Sequence, residues 1–174
     1  MSANKYVIHA HVVETMRREA KKLVKLEGIP YHQALDHVAR DDALGIRDWH
    51  HLIVEAKASA TSEQAFKRGL VVGVNPKDTD GYNLNKLTGL LLDDRVVMFL
   101  RSEFEDLHPR PWGEDDEYDW EDIEELVYFR HRDVVPNTLE EVLALCSENF
   151  FFPPHYVRLR GKEIKLYEED DDNV

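Results

Sequence analysis

Apolar positions recur at helical spacing through the first third of the chain. At about 100° per residue, Ile8, Val12, Val13, Met16, Ala20, Leu23 and Val24 share one side of a helix over residues 4–27. Arg17, Arg18, Lys21, Lys22 and Lys25 fall on the other side, and Gly28 and Pro30 stop it. A second helix is predicted over about residues 31–41, with Tyr31, Ala34, Leu35 and Val38 inward. Gly45 breaks the pattern. A third helix, about 47–60, buries Trp49, Leu52, Ile53, Ala56 and Ala60. "SATSEQAFKRG" then reads as a fresh short helix with Thr61 or Ser62 as its N-cap.

The pattern changes after Gly69. "LVVGVN" is β-like and "PKDTDGYN" is a turn-rich loop. The segment through Leu92 is helix or strand, and a helix follows over about 94–106, ended by Pro109 and Pro111. "WGEDDEYDWEDIEEL" is an acidic linker that leads into a short helix near Trp120, and "VYFRHRDVV" is a strand. "NTLEEVLALCSE" is a helix with a capping box, Thr138 standing three residues before Glu141. "HYVRLRGKEIKLYE" alternates around Gly161 as a terminal β-hairpin, and "EEDDDNV" is a frayed tail. The predicted class is α+β. An N-terminal helical bundle or hairpin over 1–69 precedes an acidic mixed part over 70–174 with a small, mostly antiparallel sheet. The two parts are also compatible with one continuous domain.

Composition adds a charge asymmetry. Apolar residues are 43% of the 174 and charged residues 33%, so a core forms beneath a heavily solvated surface. The net charge of −13 is unevenly placed: residues 1–70 carry +2 and residues 71–174 carry −15. Such an acidic half repels nucleic acid and anionic membranes and attracts basic proteins; by itself it is also an ordinary device for solubility. The single Cys146 forms no internal disulfide framework, and zinc-ribbon spacing is absent. No stretch has the apolar core of a signal peptide or the roughly 18 apolar residues of a membrane span. The expectation is a soluble protein of a reducing cytoplasm, bacterial or from an element living in bacteria, with no membrane partner and no cofactor.

Residues 31–53, "YHQALDHVARDDALGIRDWHHLI", hold four of the nine histidines. Three readings compete. The first is a metal site, which needs convergent ligands. His32 and Asp36 are four apart but face away from the core stripe, His37 lies at its opposite margin, His50 at its edge and His51 away from it. His9 and His11, two apart on one helix, share no face, so no metal is expected. The second is a DNA-reading helix-turn-helix with Arg47 opening the second helix and phosphate contacts from Arg17, Arg18, Lys21, Lys22 and Lys25. The long acidic break "DDALG" and the few cations on helix three weigh against it, and a solvated face explains the five cations equally. The third is a helical hairpin locked by Trp49. Through Ala34, Leu35, Val38, Ala39, Gly45, Asp48, Trp49 and Leu52, roughly residues 14–58 resemble the small helical module found beside glyoxalase-like domains and in plasmid-borne accessory proteins; Ile46 stands where that module has an aromatic. The resemblance implies an accessory or mobile-element protein and supplies no catalytic residues. The rest of the chain lacks the paired βαβββ units with spaced His and Glu ligands that glyoxalase chemistry needs.

Other motifs resolve into bland readings. Setting Gly81 of "KDTDGYN" on a calcium loop puts Pro76 and Leu87 at ligand positions, so the stretch is a turn. "HRD" at 131–133 lacks every other kinase element. Cys146 sits on an apolar helix face as a structural thiol. Glu103, Glu105, Asp106 and His108 could serve as general acids and bases, or simply solvate a helix end. Residues 114–125 hold nine carboxylates together with Tyr118 and Trp120. Aromatics among carboxylates suit docking on a basic partner, since rings bury area and charges steer encounter; the plain alternative is that the rings pack inward and the acids solvate. The expected function is therefore a non-enzymatic accessory or regulatory protein that binds a basic protein through Trp112, Glu114, Asp115, Asp116, Glu117, Tyr118, Asp119, Trp120 and Glu121. One form is an inhibitor that occupies the nucleic-acid-binding surface of a host protein. The alternatives are the DNA-binding regulator just described and an enzyme of unrecognised type.

Overall fold

The computed structural model describes residues 6–79, 87–107, 124–131 and 136–166, and for 104–107 the backbone alone. The fold is α+β, as the patterning implies. Two compact units are present, Met1–Ser62 and Glu63–Val174.

In the first unit, helix α1 spans Ala10–Glu27 and ends at Gly28, whose N–H returns to the Val24 carbonyl at 3.0 Å. Helix α2 is Tyr31–Ala39, and α3 is Trp49–Arg68, running across the division between units. Ile8, Val13, Ala39, Ile46 and Leu52 form the buried centre, with Met16, Trp49 and Ile53 packed on it. The break between α2 and α3 is a built loop. Asp41 and Ile46 exchange both backbone hydrogen bonds, at 2.9 and 2.8 Å, and the Asp41 carboxylate accepts the Leu44 N–H. Two carboxylates then cap the start of α3: Asp48 accepts from His51 N–H at 2.8 Å, and Asp36, reaching over from α2, accepts from Trp49 N–H at 3.1 Å. The His51 N–H holds the Asp48 carboxyl below its usual range. Such caps satisfy the orphan donors of a helix start and favour the positive end of its dipole.

Several details correct the sequence expectations. Helix α1 starts at Ala10 rather than near residue 4: residues 6–9 lie outside it, His9 is extended, and the Ile8 N–H is bound to Ser59 Oγ at 3.0 Å. His9 is therefore the N-cap, and its ring stacks on that of His11, with centroids 5.6 Å apart, where helical spacing would have parted them. No new helix begins at Thr61 or Ser62. The hydroxyls of Ser59, Thr61 and Ser62 instead donate to the carbonyls of Glu55, Lys57 and Ala58, which lets α3 continue. Ser59 rather than Ala60 faces inward, and Tyr31 is 41% exposed. Finally, His50 is exposed and His51 half-buried, because the His51 Nδ1 accepts the Arg47 N–H and its Nε2 lies 3.8 Å from Glu55.

The second unit is built on an antiparallel sheet of five described strands. These are β1 Leu70–Val74, β2 Leu90–Leu92, β3 Val127–His131, β4 Tyr156–Leu159 and β5 Lys162–Glu163, in spatial order β2-β3-β1-β4-β5. Central β1 is buried throughout, in register Val72 with Phe129 on one side and Val157 on the other. Helix α4 is Val96–Leu107 and helix α5 is Leu139–Asn149. Strand alternation divides the core into two layers. Leu70, Val72, Val74, Phe129, Val157 and Leu159 face Val142 and Cys146 of α5. Val71, Tyr128 and Tyr156 face Val96 and Leu100 of α4 and Phe66 at the end of α3.

On the α4 face, Gly73 sits between Tyr128 and Tyr156 in register, and the two rings meet edge-on with centroids 6.0 Å apart. A Cβ at Gly73 would come within 3.0 Å of both tyrosines and of Leu126, so the glycine is the space the rings occupy. Arg158, 7% exposed, fastens three elements on this face. It makes a bidentate pair with Glu103 of α4 at 2.5 and 3.0 Å, donates Nε–H to the Phe66 carbonyl at 3.1 Å, and lies 4.0 Å over the Phe66 ring. Asp93, also buried, fixes the entry to α4 by accepting Arg95 N–H and pairing with Arg130 at 2.8 Å.

Candidate docking groove

Helix α5 is set by its first and last turns. Thr138 Oγ1 accepts the Glu141 N–H, as the capping box requires, and the Glu141 side chain reaches back to the Asn137 N–H at 2.7 Å. The backbone N–H of Glu140 itself, and with it the Thr138 hydroxyl, holds the Glu140 carboxyl below its usual range. At the far end, the buried Asn149 amide binds the 87–89 segment as a second backbone would. Its Oδ1 accepts the Thr88 N–H at 2.8 Å, and its Nδ2 donates to the carbonyls of Thr88 at 3.3 Å and Leu145 at 2.8 Å. Gly89 follows with φ 75, a conformation that favours glycine, and a Cβ there would stand only 3.2 Å from His131 Nε2.

These contacts leave a groove of about 350 Å³ between the end of β3 and the outer face of α5. His131, Pro136, Asn137, Glu141, Ala144, Leu145 and Glu148 line it. The four α5 residues are spaced i, i+3, i+4 and i+7, a single helical stripe with a carboxylate at each end and apolar side chains between. Glu141 is engaged with Asn137, whose side-chain oxygen accepts from Arg160 at 2.5 Å. Glu148 has no hydrogen-bond or ion-pair partner among the described residues. Beyond α5, Phe150 turns into the core, whereas Phe151 and Phe152 are 79% and 54% exposed and meet edge-on, centroids 4.8 Å apart.

The acidic aromatic run expected to bind a partner, Trp112 and Glu114 to Glu121, lies outside the described residues, as does His108. Of the other acid–base candidates, Glu103 is bound to Arg158, and the side chains of Glu105 and Asp106 are outside the description. Cys146 is buried, and burial pushes its thiol up to about 12. Among the described residues no three His, Cys, Asp or Glu side chains gather as metal ligands. On α1, Arg17, Arg18, Lys21, Lys22 and Lys25 are all exposed; Arg17 and Arg18 both pair with Glu14, and Arg17 also lies 5.7 Å over Trp49. Arg47 is exposed ahead of α3, at the end of the bridged loop. The groove and the Phe151–Phe152 pair were not anticipated from sequence. The signal was present in "NFFFPP": two prolines forbid the helix to continue, and three successive phenylalanines cannot all turn inward. No family model matches the chain, and no match was found among curated proteins or solved structures.

Proposed function

We propose that this protein is a non-enzymatic accessory or regulatory factor that binds a basic protein through its acidic second unit. The observation that supports this reading best is the exposed Phe151–Phe152 pair directly after α5, in a half of the chain that carries −15 over residues 71–174. Two adjacent exposed phenylalanines are costly in water and are typical anchors at interfaces. Surrounding carboxylates raise the encounter rate with a cationic surface and turn away anionic ones. One concrete form is an inhibitor that covers the nucleic-acid-binding face of a host protein.

The test is affinity capture from bacterial lysate with the full chain and with a Phe151→Ser, Phe152→Ser variant. The expected result is a protein retained after nuclease treatment, released by raised salt, and lost with the double variant. Capture that depends on nucleic acid, or that ignores both salt and the two phenylalanines, overturns the reading.

A further inference from the structure

We infer that the groove between β3 and α5 receives an arginine side chain of the basic partner, with its guanidinium at Glu148. The inference rests on the proposed binding function and names the chemistry of one contact within it.

The shape comes first. About 350 Å³ holds one long side chain and some water, and is too small for a folded element. The floor is Pro136, Ala144 and Leu145, which suits the methylene stem of an amphipathic cation. The charges then give a direction. Glu141 and Glu148 stand two helical turns apart, about 10 Å along the axis. At the Glu141 end the carboxylate already accepts the Asn137 N–H, and the Arg160 guanidinium is bound to the side-chain oxygen of the same Asn137. A second cation there would meet Arg160. At the Glu148 end the carboxylate is uncommitted among the described residues.

The third observation is the wall. His131 belongs to β3 and lines the groove, so an aromatic ring lies within reach of its occupant. A planar guanidinium can stack on such a ring and still face a carboxylate in bidentate geometry, which a lysine ammonium cannot do. Apolar lining, an aromatic ring and one open carboxylate together favour arginine over lysine and over any anion.

The test is amide-resolved NMR of the full chain. The probes are an acetylated, amidated tetrapeptide with two arginines and twins in which citrulline or lysine replaces them. The expected result is saturable movement of the His131, Ala144, Leu145 and Glu148 amides with the arginine peptide, a weaker response to lysine, and none to citrulline. Glu148→Gln should weaken binding about tenfold, the scale of one charge-assisted hydrogen bond. Glu141→Gln should leave the affinity within about twofold, on the same scale. Shifts confined to residues outside the groove, an equal response to citrulline, or indifference to Glu148→Gln overturns the inference. So does movement of the groove amides on concentrating the protein without peptide, since a second copy of the chain would then be the occupant. Failure here with the Phe151 and Phe152 capture intact removes the groove and leaves the broader function. Loss of that capture with a positive titration does the reverse.

Discussion

The side chain of Asn149 and the backbone of Thr88 exchange hydrogen bonds in both directions, at 2.8 and 3.3 Å, across 61 positions of sequence. The same amide also donates to Leu145, so one buried residue ends α5, secures the Thr88–Gly89 segment and fixes one wall of the groove. Removing it leaves a donor and two acceptors behind in a partly buried place, and a buried polar group without a partner costs about 1–3 kcal/mol. Asn149→Ala should lower stability by that amount, read as a lower urea midpoint at unchanged slope. Asn149→Asp, which keeps the acceptor and loses the donors, should fall between the two.

A second prediction concerns the space under the tyrosines. Gly73→Ala places a methyl within 3.0 Å of Leu126, Tyr128 and Tyr156. Overpacking of this kind costs about 1–3 kcal/mol, because β-sheet backbone on both sides resists displacement. Thermal unfolding of Gly73→Ala beside Gly73→Ala, Tyr156→Phe tests the cause. Trimming only the hydroxyl should not relieve the clash, since the close atom is the Tyr156 Cβ.

How much of this was readable beforehand differs from one element to the next. The α5 cap was legible because its signal is local: Thr138 and Glu141 lie three apart and need no distant partner. The terminal hairpin was legible for the same reason, with Arg160 and Gly161 alone joining β4 to β5. The continuity of α3 has no such local mark, because Ser and Thr have the same side chains whether they cap a new helix or, as here, bond backwards to the carbonyls of Glu55, Lys57 and Ala58. The groove was hidden for a different reason. Gly89, His131 and Leu145 meet only because β3 returns beside β2 while Asn149 holds the 87–89 segment to α5. Long-range closure of that kind leaves no periodic trace in one sequence.

The Arg158–Glu103 pair should respond unequally to loss of either partner. Arg158 is buried and Glu103 is 41% exposed at its side chain. Glu103→Ala leaves a guanidinium enclosed with no counter-charge, whereas Arg158→Met leaves a carboxylate that water can reach and keeps an apolar chain over Phe66. The expected outcome is a larger stability loss for Glu103→Ala, with about 1 kcal/mol or more between the two in denaturant unfolding, the scale of one hydrogen bond to a charged group. The order reversed would mean that the Phe66 carbonyl and ring contacts outweigh the charge.

The buried acids set the behaviour at high pH. Burial pushes the Cys146 thiol from its ordinary 9.0 up to about 12 and the Tyr156 phenol from 10.0 up to about 12, and raises Tyr128 as well. In each case the unfolded chain gives up its proton first, so over that interval the folded chain binds more protons than the unfolded one. Stability is thus complete below the unfolded values and falls as pH rises through the window from 9.0 to about 12. Each group steepens the fall by at most about 1.4 kcal/mol per pH unit. The thiol contributes most in the first part of that window, since the phenols of the unfolded chain reach half-ionisation only at 10.0. Cys146→Ala should therefore flatten the dependence between pH 9 and 10 and leave the steeper loss above it, whatever its offset from the missing sulfur. A thiol reagent at pH 9 should label native Cys146 only as fast as the second unit opens, and the rate should rise with urea. Rapid labelling without urea, or an unchanged slope in Cys146→Ala, would show that the sulfur is not enclosed between α5 and the sheet.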